Sequence, residues 1–137
     1  YKTEDAERII VVLSSTAGTT KAVVDQLRKE GEKVGLLKPR VLRPFPAAEL
    51  VRALSGAKAV AVMDRADAFS NQGGPLFAEL RAAFYNEPKR PLMRGYVFGL
   101  GGRDTTTREI KRVYADLSED LKNGRVGQFV THLDVRV

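Results

Sequence analysis

Short apolar runs alternate with longer amphipathic stretches along this chain, and the alternation sets the expected fold. Arg8-Ile-Ile-Val-Val-Leu13 is β-branched and too short for a buried helix, so it reads as a strand covered on both faces. After Ser14-Ser15-Thr16-Ala17-Gly18 the period changes: Ala22, Val23, Val24 and Leu27 share one helical face, and Gly31 stops the helix after Lys29. Val34-Gly-Leu-Leu-Lys38 predicts a second strand. Pro39 and the Pro44-Phe45-Pro46 turn punctuate the next stretch, and Leu50, Val51 and Leu54 mark a short helix ending near Gly56.

Lys58-Ala-Val-Ala-Val-Met63 predicts a third strand ending at Asp64-Arg65. Pro75 suits a first helical turn, and Leu76, Phe77, Leu80 and Phe84 carry a third helix. Gly95-Tyr-Val-Phe-Gly-Leu100 is the fourth strand. Thr106 and Glu109 have the spacing in which each side chain satisfies a backbone N–H at a helix start. Ile110, Val113, Tyr114, Leu117 and Leu121 then form the clearest amphipathic stripe, and Asn123-Gly124 ends it. From Phe129 to Arg136, apolar and polar residues alternate as in a fifth strand with one wetter face. Four strand–helix alternations closed by a strand predict a three-layer α/β/α domain. Its five-stranded sheet is mostly parallel, with the last strand at or near an edge and right-handed crossovers placing helices over both faces. No repeat or linker interrupts it, so residues 1–137 read as a single domain. The opening at Tyr1, without an initiator methionine, is expected of a piece of a longer polypeptide.

Composition narrows the chemistry. The 137 residues contain no cysteine, which excludes disulfides, thiolate zinc sites, a cysteine nucleophile and any iron–sulfur cluster held by this chain's thiolates. The single histidine, His132, lacks partners for a histidine-based metal site or proton relay and reads as a half-exposed surface residue. No apolar run approaches the ~20 residues that span a bilayer, and no signal-peptide pattern is present, so a cytoplasmic protein without a membrane partner is expected. The net charge of +6 is spread evenly: residues 1–85 hold 13 Lys and Arg against 10 Asp and Glu, and residues 86–137 hold 10 against 7. A solvated surface with a modest surplus explains this better than a nucleic-acid groove, which usually concentrates its cations. An independent basic nucleic-acid-binding domain remains an alternative carried by charge alone.

Ligands of open α/β sheets bind beyond the strand carboxyl ends. The loop Ser14 to Lys21 is rich in hydroxyls but lacks the upstream glycine and the Lys-Ser/Thr pair of a P-loop. Thr19 or Thr20 there reads as a helix cap or as part of an anion site. Gly99-Leu-Gly101-Gly102-Arg103-Asp104 puts an acid where a dinucleotide fingerprint needs its third glycine, and a strained turn into a capped helix accounts for it. The anion-binding candidates are therefore Thr19, Thr20, Asp64, Arg65, Gly101, Gly102 and Arg103; Asp64 could serve as a base or a ribose anchor, but an ion pair or loop anchor is the safer reading of it. No catalytic constellation and no metal-ligand set is expected.

Four segments in order extend this reading. They are Gly35-Leu-Leu-Lys-Pro-Arg40-Val-Leu-Arg43-Pro44-Phe45-Pro46, Ala59-Val-Ala-Val-Met-Asp64-Arg65, Gly73-Gly74-Pro75-Leu-Phe77-Ala-Glu79-Leu-Arg81-Ala-Ala83 and Gly99-Leu-Gly101-Gly102-Arg103-Asp104. Together they resemble the C-terminal part of the alpha subunit of pyruvate:ferredoxin oxidoreductase (pyruvate synthase), a 2-oxoacid:ferredoxin oxidoreductase. The resemblance runs from about Arg8 to about Leu117. The turn Arg40 to Pro46 also resembles its counterpart in transketolase C-terminal-like domains. One departure stands at Ala68-Phe69-Ser70, where the family often has a Ser-Phe-Gly-like triplet.

The resemblance implies a complex that cleaves a 2-oxoacid on magnesium-bound thiamine diphosphate. It passes electrons through iron–sulfur clusters to ferredoxin and forms an acyl-coenzyme A. It also implies that the thiamine diphosphate and clusters belong to other domains and subunits, and that this domain is mainly structural. The implied partners are the thiamine-binding domain of the same subunit, beta-, gamma- and delta-type subunits, and ferredoxin through the complex. Arg40, Arg43, Pro44, Phe45 and Pro46 are the interface candidates, because prolines flanking an aromatic make a rigid protrusion and Arg43 offers a planar donor fork. The alternative is a coenzyme A- or other anion-binding module at the strand carboxyl edge.

Overall fold

The computed structural model describes residues 1–13, 16–39, 45–65, 75–98 and 106–133, with the side chain of Arg65 outside that description. Strands β1 (Arg8–Val12), β2 (Val34–Leu37), β3 (Ala59–Arg65), β4 (Leu92–Phe98) and β5 (Val130–His132) alternate with helices α1 (Thr16–Lys29), α2 (Ala47–Ala53), α3 (Pro75–Phe84) and α4 (Thr107–Asn123). The sheet runs β2-β1-β3-β4-β5, every pair parallel, with Ile9 beside Gly35 and Val60, Ala61 beside Arg94, and Tyr96 beside Thr131. Beyond β2, Tyr1 and Leu36 exchange both backbone hydrogen bonds, the signature of an antiparallel pair.

The apolar runs form strands because both faces are covered. Ile10, Val12, Ala59, Ala61, Met63, Tyr96 and Phe98 pack under α1 and α4, while Ile9, Val11, Val60 and Val62 pack under α2 and α3. Residue alternation thus divides the strands between two cores. The last helix has the predicted capping box, with Thr106 and Glu109 satisfying each other's backbone N–H groups, and Gly124 closes it in the left-handed conformation.

Two boundaries differ from the sequence expectation. Helix α1 starts at Thr16 rather than near Ala22, because Thr20 Oγ1 donates to the Thr16 carbonyl and the early hydroxyls join the helix. Strand β4 begins at Leu92 rather than Gly95, since Leu92 to Arg94 keep their partners in the ladder ahead of the apolar run, whereas β3 ends at Arg65 as expected. The expected residues 134–136 of β5 lie outside the described residues.

The expected uniform hand of the crossovers also fails. The sheet order is traversed in one direction from β2 to β3 to β4 to β5, yet α2 and α3 lie on one face and α4 lies with α1 on the other. The β4–α4–β5 connection therefore has the opposite hand to the other three, an uncommon arrangement. Its placement has a packing cause: α1 covers only the β1–β2 half of its face, and α4 fills the rest, over β3 and against α1. A cost arises on the other face. Among the described residues no helix lies over β5 there, leaving Val97 and Val130 half-buried and His132 exposed.

Candidate functional site

The order β2-β1-β3 makes the carboxyl ends of β1 and β3 the place where successive connections diverge, which is where such sheets open a crevice. Two described residues dominate the chemistry there, Asp64 and Thr20. Asp64, near the end of β3, is buried, and its two carboxylate oxygens accept hydrogen bonds from the Leu76 and Phe77 N–H groups at 2.9 and 3.1 Å. It therefore supplies the negative charge that the start of α3 favours, filling with the protein's own carboxylate a position open to an external anion in other α/β proteins. These two hydrogen bonds join the end of β3 to the start of α3.

Thr20 is buried in α1 and its hydroxyl serves the Thr16 carbonyl. Thr19 is half-buried one position earlier, so neither residue caps the helix. Gly101, Gly102 and Arg103 lie outside the described residues, as does the Arg65 side chain. So do Arg40, Arg43 and Pro44. Phe45 is half-buried against the Leu50 and Leu54 side of the core, and Pro46 immediately precedes α2. Beside them a groove of about 420 Å³ runs between Leu37, Lys38, Pro39, Pro46, Glu49 and Leu50.

Sequence reasoning missed the polar network at the other end of the sheet. Arg94, buried in β4, donates from Nε to the Gln128 carbonyl at 3.1 Å and from Nη1 to the Tyr96 hydroxyl at 3.1 Å. Its guanidinium lies 3.3 Å from Asp116 and 3.2 Å from Asp120. The Asp120 Oδ2 atom is held by charge rather than by an aligned hydrogen bond, since Nε–H points to Gln128. Its other oxygen accepts the Gly127 N–H at 2.9 Å. Tyr96 donates to Asp116 at 2.6 Å, and burial pushes its phenol well above the ordinary range. A second buried cation, Arg8, pairs with Glu32 at 2.7 Å and donates to the Tyr114 carbonyl at 3.0 Å. Tyr114 donates in turn to the Gly35 carbonyl at 2.6 Å, and burial raises its phenol also. Both networks tie α4 to strands distant in sequence and are structural. Only a buried charge inside an apolar strand run, such as Arg94, could have signalled them.

No cluster of three or more His, Asp or Glu side chains among the described residues is placed to hold a metal ion. Among them, no helix is long and apolar enough to cross a membrane.

Comparison with known proteins gives a consistent outcome. The family model described as pyruvate:ferredoxin oxidoreductase core domain II matches residues 6–110. Ketoisovalerate oxidoreductase subunit VorA of Pyrococcus furiosus is 44% identical over 127 residues, covering 93% of this chain and 32% of the relative. Pyruvate synthase subunit PorA of Thermotoga maritima is 46% identical over 126 residues, covering 92% and 31%. The chain therefore spans about a third of the length of the curated relatives it matches. Among solved structures, a 2-oxoglutarate:ferredoxin oxidoreductase from Magnetococcus marinus, with 2-oxoglutarate, coenzyme A and succinyl-CoA bound, superposes with a TM-score of 0.56. Its identity is 25%, over 81% of this chain and 18% of that one.

Proposed function

The chain belongs to the pyruvate:ferredoxin oxidoreductase core domain II family, and from that membership we propose that it serves as a domain of the alpha subunit of a 2-oxoacid:ferredoxin oxidoreductase acting on pyruvate. Such an enzyme oxidatively decarboxylates the 2-oxoacid to an acyl-coenzyme A and reduces ferredoxin. Within it this domain orients the catalytic parts without supplying reacting groups. The observation that carries this role is at the strand carboxyl edge, where the buried carboxylate Asp64 is committed to the start of α3.

Two of the complex's groups, the iron–sulfur clusters and the magnesium of thiamine diphosphate, find no ligand set among this chain's described residues. With no cysteine it offers no thiolate to an iron–sulfur cluster. Its described residues bring no acidic or imidazole trio together for the magnesium of thiamine diphosphate. No chemical step is assigned to it. Its contribution is contact, with the thiamine-binding domain of the same subunit and with beta-, gamma- and delta-type subunits, and through them with ferredoxin. Arg40, Arg43, Pro44, Phe45 and Pro46 are the proposed contact turn. Phe45 is the half-buried root of that turn, and a partner covers what remains exposed.

The test is the complete enzyme, with the full-length subunit co-expressed with its partners. Ferredoxin reduction dependent on both pyruvate and coenzyme A is expected. A preparation that reduces ferredoxin with no 2-oxoacid refutes the reading. Arg43→Ala with Phe45→Ala is expected to weaken subunit assembly.

A second reading, a coenzyme A- or other anion-binding role at the strand carboxyl edge, draws support from the coenzyme A in the Magnetococcus marinus enzyme. Calorimetry of the assembled enzyme carrying Arg103→Ala tests it: weakened coenzyme A binding supports the role and unchanged binding removes it.

A further inference from the structure

At the end of the sheet opposite the strand carboxyl ends, α3 and the entry to β5 form a surface that the activity above does not use. Tyr85, just past α3, is 74% exposed and Phe129, just before β5, is 42% exposed. With Tyr1, these are the only large apolar side chains left exposed among the described residues. Arg81 lies between them. Its guanidinium stacks over the Phe129 ring at 4.4 Å from the centroid and reaches the Phe77 ring at 5.4 Å. Stacking uses the faces of the guanidinium and leaves its N–H edges for hydrogen bonds.

Two grooves meet here. One, of about 270 Å³, is lined by Arg81, Phe84, Tyr85, Arg90, Met93 and Val126, among others; the second, of about 380 Å³, is lined by Ala78, Arg81, Ala82, Tyr85 and Asn86. Arginines line them and no carboxylate does, so the complementary occupant is apolar and acidic. The surface continues onto half-buried Val130 at the start of β5, on the face of the sheet where, among the described residues, no helix lies over β5.

We infer that this α3–β5 surface docks the remainder of the same subunit, through an apolar segment that presents a carboxylate to Arg81 and Arg90. This rests on the alpha-subunit reading. Two observations select that occupant over an independent protein. About two thirds of the relatives' length lies beyond the part this chain matches. The footprint is also small: two aromatic and two arginine side chains at its centre fall well short of the roughly 20–30 residues per side of a stable free-standing interface. A tethered partner needs no such area, because its effective concentration is on the order of millimolar.

The test uses the full-length subunit purified with its partner subunits. Co-purification and 2-oxoacid-dependent ferredoxin reduction report separately on the enzyme reading. In that complex a Tyr85→p-benzoylphenylalanine variant is irradiated and the linked peptides are identified by mass spectrometry. Linkage to the same polypeptide outside residues 1–137 is expected. Linkage to a different subunit or to a second copy, or no linkage from an assembled and active complex, overturns the inference. In addition, Arg81→Glu is expected to raise amide hydrogen exchange of the linked segment about tenfold or more while Arg81→Lys raises it less. Unchanged exchange in Arg81→Glu overturns the carboxylate contact.

Discussion

The ring of Phe77 lies directly against the backbone of Gly95: a β-carbon placed at 95 would stand 2.6 Å from Phe77 Cδ2 and 2.9 Å from Cε2. This contact lets α3 settle onto β4, and it explains a glycine in the middle of a buried strand. Gly95→Ala is expected to cost about 1–3 kcal/mol, the usual penalty for overpacking a filled core. Denaturant unfolding checks it, and Phe77→Leu in the Gly95→Ala background should recover part of the loss.

Asp64 gives a sharper test, because its carboxylate holds two helix N–H groups. Asp64→Ala is expected to lower stability by about 1–2 kcal/mol, as for a lost helix cap. Asp64→Asn, which keeps one acceptor oxygen, should lose less. If Asp64 served a ligand instead, both variants would change binding with little change in the unfolding midpoint.

Removing Arg94 alone strands Asp120, which is buried within 3.2 Å of it. Arg94→Met is expected to destabilise by about 3–5 kcal/mol, since an unpaired buried carboxylate is costly. Adding Asp120→Leu should restore a large part of that loss, and the double-mutant cycle measures the coupling.

The pH dependence is set by the two buried phenols. Tyr96 and Tyr114 both have their pKa raised above the ordinary 10.0, chiefly by burial. The fold favours their neutral forms, so stability is intact below pH 10.0 and is lost as pH rises beyond it. In an alkaline ultraviolet titration these two should ionise only together with unfolding. Asp5 acts in the opposite sense: the Arg28 guanidinium holds its carboxyl below 3.8, so its contribution is present above that value and disappears as pH falls through the lowered one.

Much of this architecture was readable from residue order. The runs Ile9 to Val12 and Ala59 to Met63 announce strands because β-branched and small apolar residues fill both faces, and Thr106 with Glu109 announces its helix by local chemistry. The start of α1 was not readable, since Thr16 and Gly18 are weak helix formers and the turn is held by burial of Thr16, Ala17 and Thr20. The Arg94 network was equally hidden. Its partners Asp116, Asp120 and Gln128 come from distant positions, and local pattern carries no record of pairing across 20 residues or more. At the candidate site, the placement of an acid at the end of an apolar strand ahead of a helix was legible, while its two hydrogen bonds to α3 depend on tertiary packing. That no described helix lies over β5 on the α3 face was not legible, because it depends on the hand of one connection.

The reversed route of α4 also bears on how the molecule is made on the ribosome. Arg8 reaches the Tyr114 carbonyl 106 positions later, and Tyr114 reaches Gly35 across 79. Strand β1 therefore waits, with one flank open, until α4 has left the exit tunnel. During that interval Ile10, Val12, Ala61 and Met63 are the residues that a nascent-chain chaperone would have to shelter.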